Sequence, residues 1–504
     1  MTITFIENSY PNIKSNLNLN ANFQSDRHSI PTFRIPQSSD LSHIDNCYLL
    51  GTISPLFAPH QVSRDYLEIK TDKHLLSIAP TRTGKGRGLI LPNLLHLPNH
   101  SVFVIDPKGE NALVSAKYRK EQGHEIIIFN PYGIFADKFK ELGFTQFQCF
   151  NPLANLDPES DSFTDDVAII AEALVYDDNG GSKDSHWIDS ARGLIEFLIT
   201  YLVIQENEQA TLGRLRSILS GGYSTLEKEV LDKAIKNPNP MIYENVGRYS
   251  KDTNEIHSVI ATAETQTRIL KSKSICSALD GEAFNFEQMK HKKMSVYLVL
   301  PSERLVTHAR YLRLVLLVAM SQFMRSEKGE HQVLMMLDEF ANLGKLNIIE
   351  HGYSLIAGHG VTLWSFVQNL TQLQNLYPKN WETFIANSEV VTVSDVNDVT
   401  TADYFNRRAG KEEVRKTTSK AETDESNGET RRHHSNTTTN MVWEDSLPVT
   451  TLYNAPPYTL FLFFSGQAMP TVCTKLMYDH DSSFKARAAP HPMHPRTIYD
   501  EVQL

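Results

Sequence analysis

Residues 74–86 read His74-Leu-Leu-Ser-Ile-Ala-Pro-Thr-Arg-Thr-Gly-Lys-Gly86. An apolar run enters a glycine-containing turn, a lysine follows, and the next residues, Arg87 to Leu97, suit a helix. A strand, a turn that exposes backbone N–H groups, a lysine and a helix N-terminus are the four parts of a phosphate-binding loop. Gly84 lets the backbone approach phosphate closely, and Lys85 supplies charge for the β and γ oxygens. The strict pattern GxxxxGK[ST] is not met. Ala79 stands where its first glycine falls, and Gly86 replaces the hydroxyl residue that ligates Mg²⁺. Ala79, Pro80, Thr81, Arg82, Thr83, Gly84, Lys85 and Gly86 form the candidate nucleotide-binding set. The competing reading is a plain strand-to-helix turn with an exposed lysine.

Outward from this loop, strands and helices alternate. Ser101-Val-Phe-Val-Ile105 is closed by Asp106-Pro-Lys-Gly-Glu110, and a helical stretch leads to Glu125-Ile-Ile-Ile-Phe129. This spacing predicts a parallel α/β sheet. Between about 157 and 285 the strand signal stops. Val167 to Val175, Ser190 to Ile204, Thr211 to Leu219 and Asn254 to Leu270 carry apolar residues at helical spacing, which predicts an all-α insertion. Strands resume at Ser295–Leu300, Gln332–Leu337, Gly360–Val367 and Tyr458–Phe464. The expected organisation is an N-terminal tail and small layer over 1–70, a first half of the nucleotide domain over 71–156, and the insertion over 157–285. A second half follows over 286–480, with a polar loop at 416–440, and then a flexible tail over 481–504.

Val333-Leu-Met-Met-Leu337 is wholly apolar, as a central parallel strand should be, and it ends in Asp338-Glu339. Ligands of open α/β sheets bind at the carboxyl ends of such strands. Asp338 is therefore the candidate Mg²⁺ ligand and Glu339 the candidate for polarising an attacking water. The alternative is a helix cap. Gln368 closes Val361–Val367, where RecA-like motors carry a polar residue that senses the γ-phosphate; the alternative is a helix-capping or surface glutamine. Lys85 and Asp338 stand 253 residues apart, too far for a small GTPase, and the helical insertion accounts for the distance.

The chain of 504 residues is 41% hydrophobic and 21% charged, which excludes fibrous and wholly disordered classes. Its net charge of -10 excludes a protein that coats nucleic acid with its whole surface. Cys47, Cys149, Cys276 and Cys473 are too far apart for a zinc knuckle or CxxC site and read as reduced thiols of a cytoplasmic protein. No stretch has the ~20 apolar residues that span a bilayer.

Several of these stretches together resemble one family, the coupling proteins of type IV secretion and conjugation (the TraG/TrwB class). The similar stretches are 74–86, Ile90–Leu94, Val104–Glu110, Val296–Pro301, Leu337–Gly344, Trp381–Asn387 and Glu444–Pro448, and the resemblance covers about residues 50 to 480. Gly86 after the lysine is similar to the family pattern and leaves the Mg²⁺ hydroxyl open between Thr83 and Thr81. The resemblance implies a RecA-like P-loop nucleotide-binding domain with an inserted all-α domain, assembled as a homo-hexamer. It implies ATP and Mg²⁺ as cofactors, and a relaxase–DNA complex or an effector protein as cargo for a type IV secretion channel. Family members usually begin with two transmembrane helices. Association of this chain with the cytoplasmic face of the inner membrane is then expected through partners. The resemblance also implies an arginine acting from the neighbouring subunit, with Arg268, Arg304 and Arg310 as candidates. An FtsK-like DNA pump and a docking platform that binds nucleotide without hydrolysis are the alternatives.

Other side chains invite weaker readings. Arg431 and Arg432 are candidates for DNA contact or for a solvated loop. Trp187, Trp381 and Trp443 read as substrate platforms or core residues. His186 lacks metal-ligand company, and His491 and His494 could hold a metal weakly or belong to a Pro-rich tail.

Overall fold

The computed structural model describes residues 33–34, 47–52, 66–176, 185–305, 307–426 and 429–492. The strands are β1 (Phe33–Arg34), β2 (Tyr48–Thr52), β3 (Tyr66–Ile69), β4 (His74–Ile78), β5 (Ser101–Asp106), β6 (Glu125–Phe129), β7 (Met294–Val299), β8 (Val333–Leu337), β9 (Val361–Val367), β10 (Ser388–Val393), β11 (Lys411–Ser426), β12 (Glu429–Asp445), β13 (Thr459–Phe464) and β14 (Thr471–Thr474). All except β11 and β12 join one twelve-stranded sheet. Its parallel part runs β10-β4-β9-β8-β5-β7-β6. From β10 it continues in antiparallel fashion through β13, β14, β2, β3 and β1.

Both faces of the parallel part are covered, which explains the unbroken apolar runs read from the sequence. Alternate residues divide between two cores, as a period of two requires. Phe103, Ile105, Val333, Met335 and Leu337 face the core shared with the helical insertion and the helix Ala309–Arg325. Val102, Val104, Leu334 and Met336 face the helix Glu110–Glu121 and the helix that follows the phosphate loop. Between β6 and β7 the described residues contain helices and no strand, including Phe163–Leu174, Ser185–Tyr201, Leu212–Ser220 and Asn254–Gln266. These helices lie within the stretch 157–285.

The structure corrects two expectations. The polar tract 416–440 is not a loop: β11 and β12 pair antiparallel from Lys411↔Asp445 to Ser426↔Glu429, with one irregularity between Lys420 and Glu422. The composition showed that the tract lacks a core of its own, but cross-strand backbone pairing needs none. The missed signal was Asn427-Gly428, the dipeptide favoured in two-residue hairpin connections. The expected tail over 481–504 is likewise structured in its first part. Ser482–Arg487 is helical, Asp481 accepts from the Ser483 and Phe484 N–H groups, and the Phe484 ring is buried. Residues 493–504, His494 among them, lie outside the described residues. So does nearly all of 1–46.

Among the described residues no helix is long and apolar enough to cross a membrane. None of the four cysteines forms a disulfide among the described residues.

Candidate nucleotide site

The carboxyl end of β4 is held on both sides. Ala79 N–H donates to the Val367 carbonyl at 2.9 Å, and Ser394 N–H donates to the Ile78 carbonyl at 3.1 Å. The chain then turns sharply through Arg82 (φ 62°) and Gly84 (φ 82°) and becomes helical from Gly86. A Cβ at Gly84 would come within 2.7 Å of the Met477 Cε, the movable end of a flexible side chain, so it is the left-handed backbone angle that calls for glycine there. Thr81 and Arg82 are exposed, whereas Lys85 is buried.

Lys85 Nζ lies 3.5 Å from Glu339 Oε1. Gln368 Nε2 donates to Glu339 Oε2 at 3.1 Å. The three residues come from the ends of β4, β8 and β9, which are neighbours in the sheet, and Asp338 adjoins them. Asp338 Oδ1 accepts the Glu339 N–H at 2.9 Å. Glu339 itself holds a left-handed backbone (φ 51°), uncommon for a residue with a side chain and a mark of functional sites. Burial raises the Asp338 carboxyl to about 6; Lys85 and Lys108 oppose the rise, and Glu339 adds to it.

Thr83 Oγ1 donates to the Pro80 carbonyl at 2.8 Å, so its hydroxyl is already used within the loop. The arginine candidates separate by place. Arg268 is exposed in the helical insertion. Arg310 donates to Gln266 Oε1 at 2.6 Å. Arg304 lies just beyond β7, 4.4 Å above the Tyr132 ring, at the edge of a cavity of about 560 Å³ that Lys108, Glu110 and Phe135 also line. Trp187 and Trp381 pack against the core, and Trp443 is 65% exposed on β12. His186 lies 3.6 Å from Glu255, and His491 lies 3.7 Å from Glu110. Among the described residues no group of three or more His, Cys, Asp or Glu side chains could hold a metal ion. Arg431 and Arg432 lie on β12 opposite Asp424 and Thr423.

Sequence reasoning assigned no role to Asp106 or Lys108. Asp106 ends β5 beside β8, one residue beyond the pair Ile105↔Leu337. It is buried and accepts the Ala112 N–H at 2.8 Å. Burial pushes its carboxyl from 3.8 to about 7, and Asp338 contributes to the rise. The signal was available in Asp106-Pro-Lys-Gly-Glu110, an acid at a strand end that mirrors Asp338.

The shift has a measurable sign. The folded protein holds the Asp106 proton more tightly than the unfolded chain does. This carboxyl therefore lowers stability progressively as pH rises from about 4 to about 7, and the loss then levels off. Asp106→Asn removes that penalty. Relative to wild type, the variant should melt more favourably at pH 8 than at pH 5; a difference independent of pH would contradict the buried, proton-holding carboxyl.

Comparison with known proteins follows the same lines. Residues 51–500 match the family described as Type IV secretory system Conjugative DNA transfer. A "Conjugal transfer protein TraG" of Escherichia coli is 25% identical over 369 residues, covering 68% of this chain and 56% of the relative. "Protein VirD4" of Rhizobium radiobacter is 28% identical over 355 residues, covering 68% and 49%. The chain thus spans about half the length of the curated relatives it matches. Among solved structures, the bacterial conjugative coupling protein TrwBdeltaN70 in its unbound monoclinic form aligns with a TM-score of 0.56 at 16% identity, over 81% of this chain and 85% of that one. TrwB in complex with ADP and Mg²⁺ aligns with a TM-score of 0.54 at 16% identity, over 81% and 86%. These likenesses show a shared fold.

Proposed function

The chain belongs to the type IV secretory system conjugative DNA transfer family, and from that premise we propose that it is an ATP-driven coupling protein. It would bring a relaxase–DNA complex or an effector protein to a type IV secretion channel and power its transfer. The observation that carries this reading is the convergence of Lys85, Glu339 and Gln368, with Asp338 beside them, at adjoining strand ends.

In this reading Lys85 and the backbone N–H groups of Thr83 to Gly86 bind the phosphates of ATP. Glu339 takes up the proton of the attacking water, and Gln368, already bonded to Glu339, reports the γ-phosphate to β9 and the helix after it. Mg²⁺, with Asp338 as its protein ligand, would neutralise charge on the β and γ oxygens. The residues suit that role, because Lys85 and Lys108 favour the charged form of Asp338 against its burial. TrwB has been solved with ADP and Mg²⁺, which supports the same pair of ligands here.

A homo-hexamer would place an arginine of one subunit at its neighbour's phosphates. Arg304 suits this best, being exposed at the strand-end edge while Arg310 is engaged with Gln266. Arg304→Ala should then lose turnover while keeping nucleotide affinity. Mixing it with Lys85→Ala subunits should restore part of the activity, and a mixture no better than its components would remove Arg304 from this role. Association with the cytoplasmic face of the inner membrane would come through partner proteins.

Steady-state ATP hydrolysis with and without single-stranded DNA tests the proposal. Turnover that rises with DNA is the expected result. Nucleotide binding with no turnover under any DNA condition would leave a docking platform in its place.

A further inference from the structure

The segment after β14, Lys475-Leu-Met-Tyr-Asp-His480, runs along the phosphate loop and the first turn of its helix. Lys475 Nζ donates to the Thr83 carbonyl at 2.8 Å and to Asp395 Oδ2 at 2.5 Å. Met477 stands against Gly84, the Tyr478 N–H donates to the Arg87 carbonyl at 3.1 Å, and Arg87 Nε donates to Asp479 Oδ2 at 3.0 Å. The Lys475 side chain is 1% exposed. Burial lowers the affinity of its amine for the proton, and Asp395 counters this. Keeping a charge out of water is costly unless partners compensate. Here one partner is a carboxylate and the other is a backbone carbonyl of the phosphate loop itself.

We propose that Lys475, braced by Asp395, is a positioning residue that aims the Gly84 N–H at the phosphates of a bound nucleotide. This rests on the nucleotide-binding reading above and deepens it. The peptide joining Thr83 to Gly84 is planar and trans, so its C=O and N–H point in opposite directions. Anchoring the Thr83 oxygen on Lys475 directs the Gly84 N–H to the far side of that plane. An ammonium on the oxygen also polarises the peptide and strengthens its N–H as a donor. Left-handed angles at Arg82 and Gly84 bend the loop into the kind of concavity in which successive N–H groups gather an anion. Asp395 holds a left-handed angle too (φ 51°), just past the end of β10, the strand that flanks β4. The loop is thus gripped from the β10 and β14 side, while Glu339 and Gln368 approach Lys85 from the β8 and β9 side.

Binding of Mg²⁺–ADP by calorimetry, together with thermal melting, tests this on the full chain. Lys475→Met should weaken Mg²⁺–ADP binding about tenfold, the order expected for losing one charge-assisted contact behind the binding amide. Asp395→Asn leaves Lys475 buried without its counter-charge and should lower the melting temperature. The double variant Lys475→Met/Asp395→Asn removes both charges together. Its melting temperature should recover toward wild type while its Mg²⁺–ADP affinity stays weak, because the Thr83 carbonyl still lacks its donor. Affinity that recovers along with melting would show a purely structural pair and overturn the proposal. So would wild-type affinity in Lys475→Met. Lys85→Ala run beside them separates the two levels. If it abolishes binding while Lys475→Met binds normally, only the positioning role falls. A wild-type chain that binds no Mg²⁺–ADP takes down the nucleotide reading and this proposal with it.

Discussion

Lys85→Ala should lower kcat/KM for ATP by roughly ten- to more than a hundredfold, the equivalent of losing a charged contact worth about 1.5–3 kcal/mol. Lys85 is only 8% exposed, and among the described residues its ammonium meets Glu339 at 3.5 Å, a long contact that an arriving phosphate can replace with shorter ones. The variant also takes the Lys85 ammonium away from Glu339, which keeps its bond to Gln368, so a carboxylate without that counter-charge would face the phosphates. Both effects act against nucleotide. The rise in melting temperature that ATP gives the wild type should therefore shrink along with the hydrolysis rate. Unchanged turnover in Lys85→Ala would remove this loop from the chemistry.

Much of this arrangement could be read from the chain, for a physical reason. Parallel strands covered on both faces must be apolar throughout, so β4, β5, β6, β7, β8 and β9 stand out as short runs such as Val333–Leu337. Ligand sites of such sheets form where those runs stop, which made Lys85, Asp338, Glu339 and Gln368 legible as neighbouring candidates. β10 escaped because Ser388 and Glu389 break its apolar pattern, although Glu389 is buried and paired with Lys73 at 2.6 Å. Lys475 escaped for a different reason. It lies 392 residues beyond Thr83, and nothing in a short stretch of mixed character after a strand indicates that its ammonium meets that carbonyl. The ribbon of β11 and β12 was misread because burial and pairing are separate requirements. A Thr- and Ser-rich tract that fails the first can still satisfy the second.

Glu339→Gln should separate binding from turnover. The substitution keeps the length of the side chain and an oxygen able to accept from Gln368 Nε2, and it keeps a residue of similar bulk at the left-handed backbone position. What it removes is a negative charge that occupies Lys85 and would repel the incoming phosphates. ATP binding should therefore tighten by a few-fold, in keeping with losing a like-charge contact of roughly 1 kcal/mol near the surface. The neighbouring Asp338 should ionise more readily as well, because Glu339 is among the groups that raise its carboxyl. Hydrolysis should move the other way, falling by about 10²–10⁴ as expected when a positioned general base is lost. Stopped-flow binding and single-turnover hydrolysis on the same preparation read the two quantities independently. Had Glu339 served only as a counter-ion that shapes the loop, affinity and rate would weaken together, and the assignment of the base would have to move to another carboxylate at the neighbouring strand ends, Asp338 or Asp106.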